Sequence, residues 1–472
     1  TVVWDDRLRQ APPLVLESLR LALDNRGRLH RFGISAAPPE GLAARIDIRG
    51  EVAGDVDDQI EHLAGKVFVE LDYADLAAWR AWVDYPVHLP QGRGAVRVWG
   101  GLDDGVGSVT ADLALEELRI RLGRNLPELD LASMRGRLEG SYAADRWSVT
   151  GRKIELLTHD GVRVAPTNFV FDWRQATPSQ AVIGSASVSF VDLSALARLA
   201  SYLPLDANSR RLLERHRPQG RFSELKADWT LDGDTLSKYS LKTGFSDFGI
   251  AADGYFPGGS GFSGKVDLTE KGGELTVDAG RSGLSLPAVF PVADIPLDTL
   301  KLRANWRQTA GGVDVRLEKL DIANADVAGT AKGSYLYDGQ GPGVIDLTAN
   351  IDRGDARQVW RYMPHAVNAD ARSWIRRGIT AGSGYDGRLV LKGNLKDFPF
   401  RDPASGRFLV TAKARGGRVD YAAGWPLIDD IEAEMSFGVG MKIKASRGRV
   451  LGAQLSGVSV ELPDFESMDE ML

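Results

Sequence analysis

Apolar and polar residues alternate along most of this chain, and that period restricts it to strands with one dry face and one wet face. Leu225, Ala227, Trp229 and Leu231 alternate with Glu224, Lys226, Asp228 and Thr230. Leu300, Leu302, Ala304 and Trp306 alternate with Lys301, Arg303 and Asn305, and Val313, Val315 and Leu317 with Asp314 and Arg316. The same holds for Ile431, Ala433, Met435 and Phe437 against Glu432, Glu434 and Ser436, and for Met441, Ile443 and Ala445 against Lys442 and Lys444. A period of two sends each set to its own side of a sheet. Turn signals at Asp232-Gly233-Asp234, Lys271-Gly272-Gly273 and Gly416-Gly417 separate the runs. Such short connections join antiparallel neighbours, because parallel crossovers need a dozen or more residues.

Helical spacing is confined to short stretches. Asp75–Val83 carries Leu76, Trp79 and Val83. Leu193–Leu203 follows a capping Asp192, and Asp355–Tyr362 and Asp370–Arg377 flank Met363-Pro364. These stretches recur in one context. Val188–Asp192, a helix, Tyr202-Leu203-Pro204, a second helix at Ser209–Arg215, Gly220 and Leu225–Leu231 form one copy. Ile345–Asp352, a helix, Tyr362-Met363-Pro364, a second helix, Gly387 and Arg388–Leu395 form another. Val67–Asp72, the Trp79/Trp82 segment, Tyr85-Pro86, Gly94 and Ala95–Gly100 form a shorter third. The repeat divides the chain into sections at 1–180, 181–340 and 341–472, read as one continuous structure of stacked units. About 20 strands spaced about 4.8 Å apart extend on the order of 100 Å. The apolar side of so long a sheet is covered either by a second protein layer or by something else, and periodicity does not choose between them.

Composition narrows the functional classes. The 58 Lys and Arg against 64 Asp and Glu give a net charge of −6, not the basic surface of a nucleic-acid binder. With no cysteine there is neither a disulfide nor a thiolate ligand nor a thiol nucleophile. The 53 glycines suit many turns and bulges. No run approaches the roughly 18 apolar residues of a membrane helix, and Leu193–Leu205 is broken by Arg198 and Pro204. The strand-like Thr1–Trp4 start and the Glu466–Leu472 end read as cuts from a longer chain.

No motif carries chemistry. Gly259–Lys265 fits G-x-G-x-x-G and most of a P-loop, but Val266 replaces the metal-binding hydroxyl and a hairpin pattern follows where a helix is required, so it reads as a flexible β-turn. His30, His62, His88, His159, His216 and His365 stand apart from one another, leaving no zinc motif. Carboxylates such as Glu432 and Glu434 occupy the wet sides of strands. Trp79, Trp82, Trp360 and Trp374 lie on the short helices, where they pin helix to sheet edge or line a lipid path. Arg210, Arg211, Arg215 and Arg217, and Arg372, Arg376 and Arg377, cluster on the second helix of each long repeat, as solvated faces or as contacts to lipid phosphate.

Several stretches resemble the YhdP family of the AsmA-like superfamily. They are Leu23–Phe32 with Pro38-Pro39, Trp79–Pro86, Leu113–Leu115 with Arg121–Leu129, and above all Trp374-Ile375 through Gly387–Leu389 to Gly393–Phe400. The resemblance spans nearly the whole chain, and its motifs are fold signatures. It implies a mainly β protein: a long curled antiparallel sheet forming an elongated hydrophobic groove, with a few short helices in repeat insertions. It further implies an envelope protein of Gram-negative bacteria, anchored in the inner membrane outside this segment. Such a protein would carry phospholipids between inner and outer membranes without a cofactor, with possible envelope partners and no catalytic residue. The rival expectations are an assembly factor for outer-membrane biogenesis and a carbohydrate-active β protein with paired carboxylates.

Under the groove reading, the expected lining is Val67, Val69, Val96, Val98, Leu225 and Trp229 in the first half of the chain. In the second half it is Leu302, Trp306, Val313, Val315, Leu389, Leu391, Ile431, Met435, Phe437 and Ile443.

Overall fold

A computed structural model describes residues 1–54, 64–85, 87–174, 181–233, 235–254 and 256–465. His62, Pro86, Asp234 and Glu466–Leu472 lie outside the described residues. Strand accounts for 66% of the structure and helix for 9%, and the sheet is antiparallel and not closed into a barrel. The chain forms two compact units: Thr1–Arg217 with Arg221–Thr243, and Pro218–Gly220 with Gly244–Leu472.

In the first unit the strands follow one another as β1 (Val2–Trp4), β2 (Leu14–Arg26), β3 (Leu29–Ala37), β4 (Ile46–Ala53), β5 (Ala64–Asp75) and β6 (His88–Asp103). They continue as β7 (Val106–Arg121), β8 (Leu129–Ala143), β9 (Arg146–Thr158), β10 (Arg163–Arg174), β11 (Val182–Asp192) and β12 (Gln219–Asp232). Each pairs with the next, from β1–β2 to β11–β12. Asp104 and Gly105 join β6 to β7 with φ of 46° and 72°, the doubly positive turn whose twist suits a two-residue hairpin.

β13 (Thr235–Ile250) runs from the first unit into the second. There follow β14 (Gly258–Thr269), β15 (Gly272–Ala279), β16 (Ser282–Ser285), β17 (Asp294–Leu297), β18 (Thr299–Thr309), β19 (Gly312–Ala323) and β20 (Val327–Tyr337). The last are β21 (Val344–Asp355), β22 (Ile379–Asn394), β23 (Gly406–Val419), β24 (Ile428–Phe437), β25 (Met441–Val450), β26 (Ala453–Leu455) and β27 (Val458–Leu462). β14 pairs with both β15 and β16, β15 then pairs with β18, and the ladder β18–β25 is sequential.

Among the described residues, three α-helices interrupt the strands: α1 (Leu193–Leu199), α2 (Ala207–His216) and α3 (Ala369–Gly378). Ala78–Ala81 and Ala356–Tyr362 are 3₁₀ turns. Asp192 caps α1 by accepting from the Ala195 N–H, and Asp355 accepts from the Arg357 N–H. Two readings from the sequence are corrected. Gly259–Lys265 lies within β14 and is no turn, because its backbone pairs with β16 at one end and β15 at the other. Gly416-Gly417 is no strand break either. Gly416, at φ 60°, makes a bulge inside β23, which stays paired with β22 and β24 on both sides.

Non-glycine residues with positive φ mark further bulges at Ser18, Glu117, Lys153, Asp386 and Asp430, beside register shifts in the ladders. A bulge adds one unpaired residue and bends its strand. In the first unit, the strand ends beyond Glu117 and Lys153 turn into a packed core, where Leu118 and Leu131 are 1% and 2% exposed.

The wet face is charged in cross-strand register. Glu70, Arg97, Asp112 and Arg137 are direct neighbours on β5 to β8, with Glu70–Arg97 and Asp112–Arg137 each at 2.6 Å. The Arg137 hydrogen bond holds the Asp112 carboxyl below the usual carboxylate range, and Arg449 does the same for Asp429. A carboxyl acid-strengthened by folding stabilises the native state above its unfolded pKa, and the contribution is lost as pH falls through the folded value. The melting temperature of the wild type should therefore exceed that of Asp112→Asn at pH 7. Thermal melts by circular dichroism should show the gap closing below about pH 4.

Candidate functional site

On the other face, rows of apolar residues run through the pairings from β2 to β12. Leu21, Ile34, Ile48, Val69, Val98, Ala111, Leu138, Gly151, Phe169, Val188 and Leu225 are successive cross-strand partners on β2 to β12. The next row is Leu23, Phe32, Gly50, Val67, Gly100, Val109, Gly140, Val149, Phe171, Ala186 and Ala227. Neither row contains a polar side chain. In the second unit, Val277, Leu302, Leu320, Ala331, Ala349, Leu389, Val410, Phe437, Met441 and Leu462 form a row of the same kind.

Several glycines of this face are roofed by aromatic partners. A Cβ on Gly50 would stand 2.2 Å from the Phe32 ring, one on Gly151 2.3 Å from Phe169, and one on Gly184 2.2 Å from Trp229. The ring lies over its neighbour's bare backbone, so the apolar cover is unbroken where a side chain is missing.

The face is covered unequally. Near the helices of the first unit it is a true core. Trp79 is 8% exposed and donates its indole N–H to the Leu42 carbonyl at 2.9 Å, and Leu76, Ala195 and Leu199 pack against Val96, Leu115 and Leu118. Toward the opposite strand ends, Val67, Val109 and Leu23 remain 37%, 47% and 67% exposed.

The expected lining residues fall on these faces. Val69, Val98 and Leu225 lie in the first row, Val67 in the second, and Trp229 beside Gly184. Val96 shares the face but is 8% exposed and buried in the helix-covered core. In the second unit, Leu302, Leu389 and Phe437 lie in the row given above, and Leu391 pairs with Phe408. Trp306 pairs with Val315, Val313 with Tyr337, and Met435 with Ile443, while Ile431 covers Gly417. All ten in this unit are half-buried. The expected lining contains no residue of β7 to β11, where Leu138, Phe169, Phe171 and Trp173 carry the same face. Their period-two signal is visible in Phe169, Phe171 and Trp173, but Val170 on the opposite face blurs it.

The helix tryptophans serve as pins. Trp82 donates to the Pro12 carbonyl at 3.2 Å and Trp374 to that of Tyr421 at 2.8 Å, and the Arg376 guanidinium lies 4.5 Å from the Trp360 ring centre. Several helix arginines are spent locally: Arg210 donates to the Leu205 carbonyl and Arg372 to that of Val367. Arg198 reaches Asp160 at 2.8 Å and Arg361 reaches Asp326 at 2.6 Å, each six residues past a capping aspartate, so both units tie the helical segment to a preceding hairpin turn in the same way. His159 sits between Asp130 and Glu117 at 3.0 and 3.4 Å, on the exposed surface. No helix among the described residues is long and apolar enough to cross a membrane.

The arrangement predicts opposite outcomes for a charge at two positions on one face. Val96→Asp buries an unpaired carboxylate in packed side chains and should unfold the first unit or destabilise it by several kcal/mol. Val67→Asp, at the accessible margin, should cost about 1 kcal/mol or less. Urea unfolding of the two variants measures the difference.

The family model described as "YhdP protein" matches residues 1–472. No curated protein and no solved structure matches the chain.

Proposed function

We propose, on the premise that this chain belongs to the YhdP family, that it is a section of a non-enzymatic lipid conduit in the Gram-negative periplasm, along which phospholipids pass between inner and outer membranes. The observation that carries this reading is the pair of rows in which β2 to β12 each contribute a non-polar residue, while one margin of the face stays accessible. Removing an acyl chain from water gains about 0.8 kcal/mol per CH₂. A face of this kind replaces the bilayer interior for the tails, and an accessible margin leaves the headgroup hydrated, which avoids its desolvation cost.

Movement sets a second requirement, that no point along the path hold a lipid tightly. The rows contain no polar group that would single out one lipid, and their repeating Val, Leu, Ala and Gly offer similar contacts at each strand. The reaction needs no bond made or broken, so the partners of this segment are phospholipids and, through other parts of the protein, the two membranes.

Two measurements test the reading. Phospholipid should co-purify with the chain when it is isolated without detergent and extracted for mass spectrometry. Leu391→Asp and Met435→Asp should fold, with wild-type circular dichroism, yet support less than a tenth of the lipid transfer between membranes in the full-length protein. Normal transfer by both variants would refute the conduit, and lipid-free protein with intact function would favour a role in outer-membrane assembly.

A further inference from the structure

The accessible margin carries aromatic residues in a row of its own. Tyr142, Trp147 and Trp173 are successive cross-strand partners on β8, β9 and β10, and Gly184 then separates Trp173 from Trp229. Tyr142 and Trp147 have ring centres 4.4 Å apart, and Trp147 stacks on Trp173 at 6.2 Å and 11°. They remain 44%, 41% and 37% exposed. The second unit repeats the pattern independently. Trp306 pairs with Val315, whose other partner is Tyr335, and Tyr337 lies beside Val313. These residues sit at the strand ends remote from the helical segment that follows β21.

The margin tryptophans differ from three on the helical segments. Those on the helical segments at 79, 82 and 374 each donate the indole N–H to a backbone carbonyl. Among the described residues, no protein acceptor receives the indole N–H of Trp147, Trp173, Trp229 or Trp306. Three of these have an arginine as chain neighbour, which the period of two turns to the wet face, where Arg146, Arg174 and Arg307 meet Asp172, Asp145 and Asp314 at 3.5, 3.7 and 3.7 Å and leave the rings to themselves on the apolar side. Apolar aliphatic surface followed by amphipathic rings with a spare donor is the order met on passing from the hydrocarbon to the ester region of a membrane.

We infer that this row is an interfacial belt that fixes how a diacyl phospholipid lies in the face: its ester and glycerol region at the aromatic margin, its chains running along the strands toward the helix-covered core, its phosphate in the water beyond the rings. The inference rests on the conduit reading and adds an orientation to it. The space agrees. Trp147 and the core residue Ile154 are both on β9, and seven residues at about 3.3 Å span roughly 23 Å. A single leaflet is about 15 Å deep, half of the ~30 Å bilayer core.

Photo-crosslinking of the full chain tests it. The chain is loaded with phosphatidylcholine carrying a diazirine either beside the ester or at the chain terminus, and the crosslinked peptides are mapped by mass spectrometry. The ester-proximal probe should label peptides containing Tyr142, Trp147 and Trp173 several-fold more than the terminal probe does, and the terminal probe should favour Leu113 and Leu156. In Trp147→Leu/Trp173→Leu, which keeps the margin apolar but removes both indoles, the two labelling patterns should converge. Equal patterns in the wild type, or a reversed order, would overturn the belt and leave the conduit standing. No crosslink on the apolar face with either probe would overturn both.

Discussion

Register is the constraint on which the rest of this structure depends. Side chains alternate across a strand with a period of two, so a slip of one residue in any ladder would send that strand's apolar set to the wet face. The rows hold through the pairings from β2 to β12, and the opposite face answers with Glu70, Arg97, Asp112 and Arg137 in direct register. An exposed ion pair is worth little in stability, yet a two-residue slip between β5 and β6 would set Glu70 against Ala95 or Trp99 in place of Arg97. The wet face thereby helps specify the register on which the dry face relies.

The bulges and the short helices divide that dry face by function. Beyond the bulges at Glu117 and Lys153, the first unit closes into an ordinary core beneath Trp79 and α1. This core holds the strands together without needing anything on the rest of the face. Stabilising contacts are therefore concentrated toward one end of these strands, and a face free of structural duty can stay partly accessible.

Alternating runs such as Leu225–Leu231 and Ile431–Phe437 were legible as strands because every second residue obeys one rule. The stretch from Ile379 to Gly387 was not. Its glycines, Ser383 and Asp386 show no alternation, yet it opens β22, since backbone pairing with β21 and β23 needs no particular side chain. Gly50, Gly151 and Gly184 read as turn residues in isolation, and only the cross-strand partner reveals that an aromatic ring covers each. The separation of Val96 from Val67 was invisible for a similar reason. Both are valines of one face, and the helix that buries the first is brought there by tertiary packing.

On the conduit reading, acyl lipid covers the accessible half of the apolar face. The chain has no cysteine, so a single nitroxide at Val109→Cys reports on that half alone. Its collision rates with oxygen and with a water-soluble nickel chelate distinguish hydrocarbon from water. The account predicts a label shielded from nickel and accessible to oxygen in protein loaded with phospholipid, becoming nickel-accessible after delipidation. A label equally open to nickel in both preparations would contradict it.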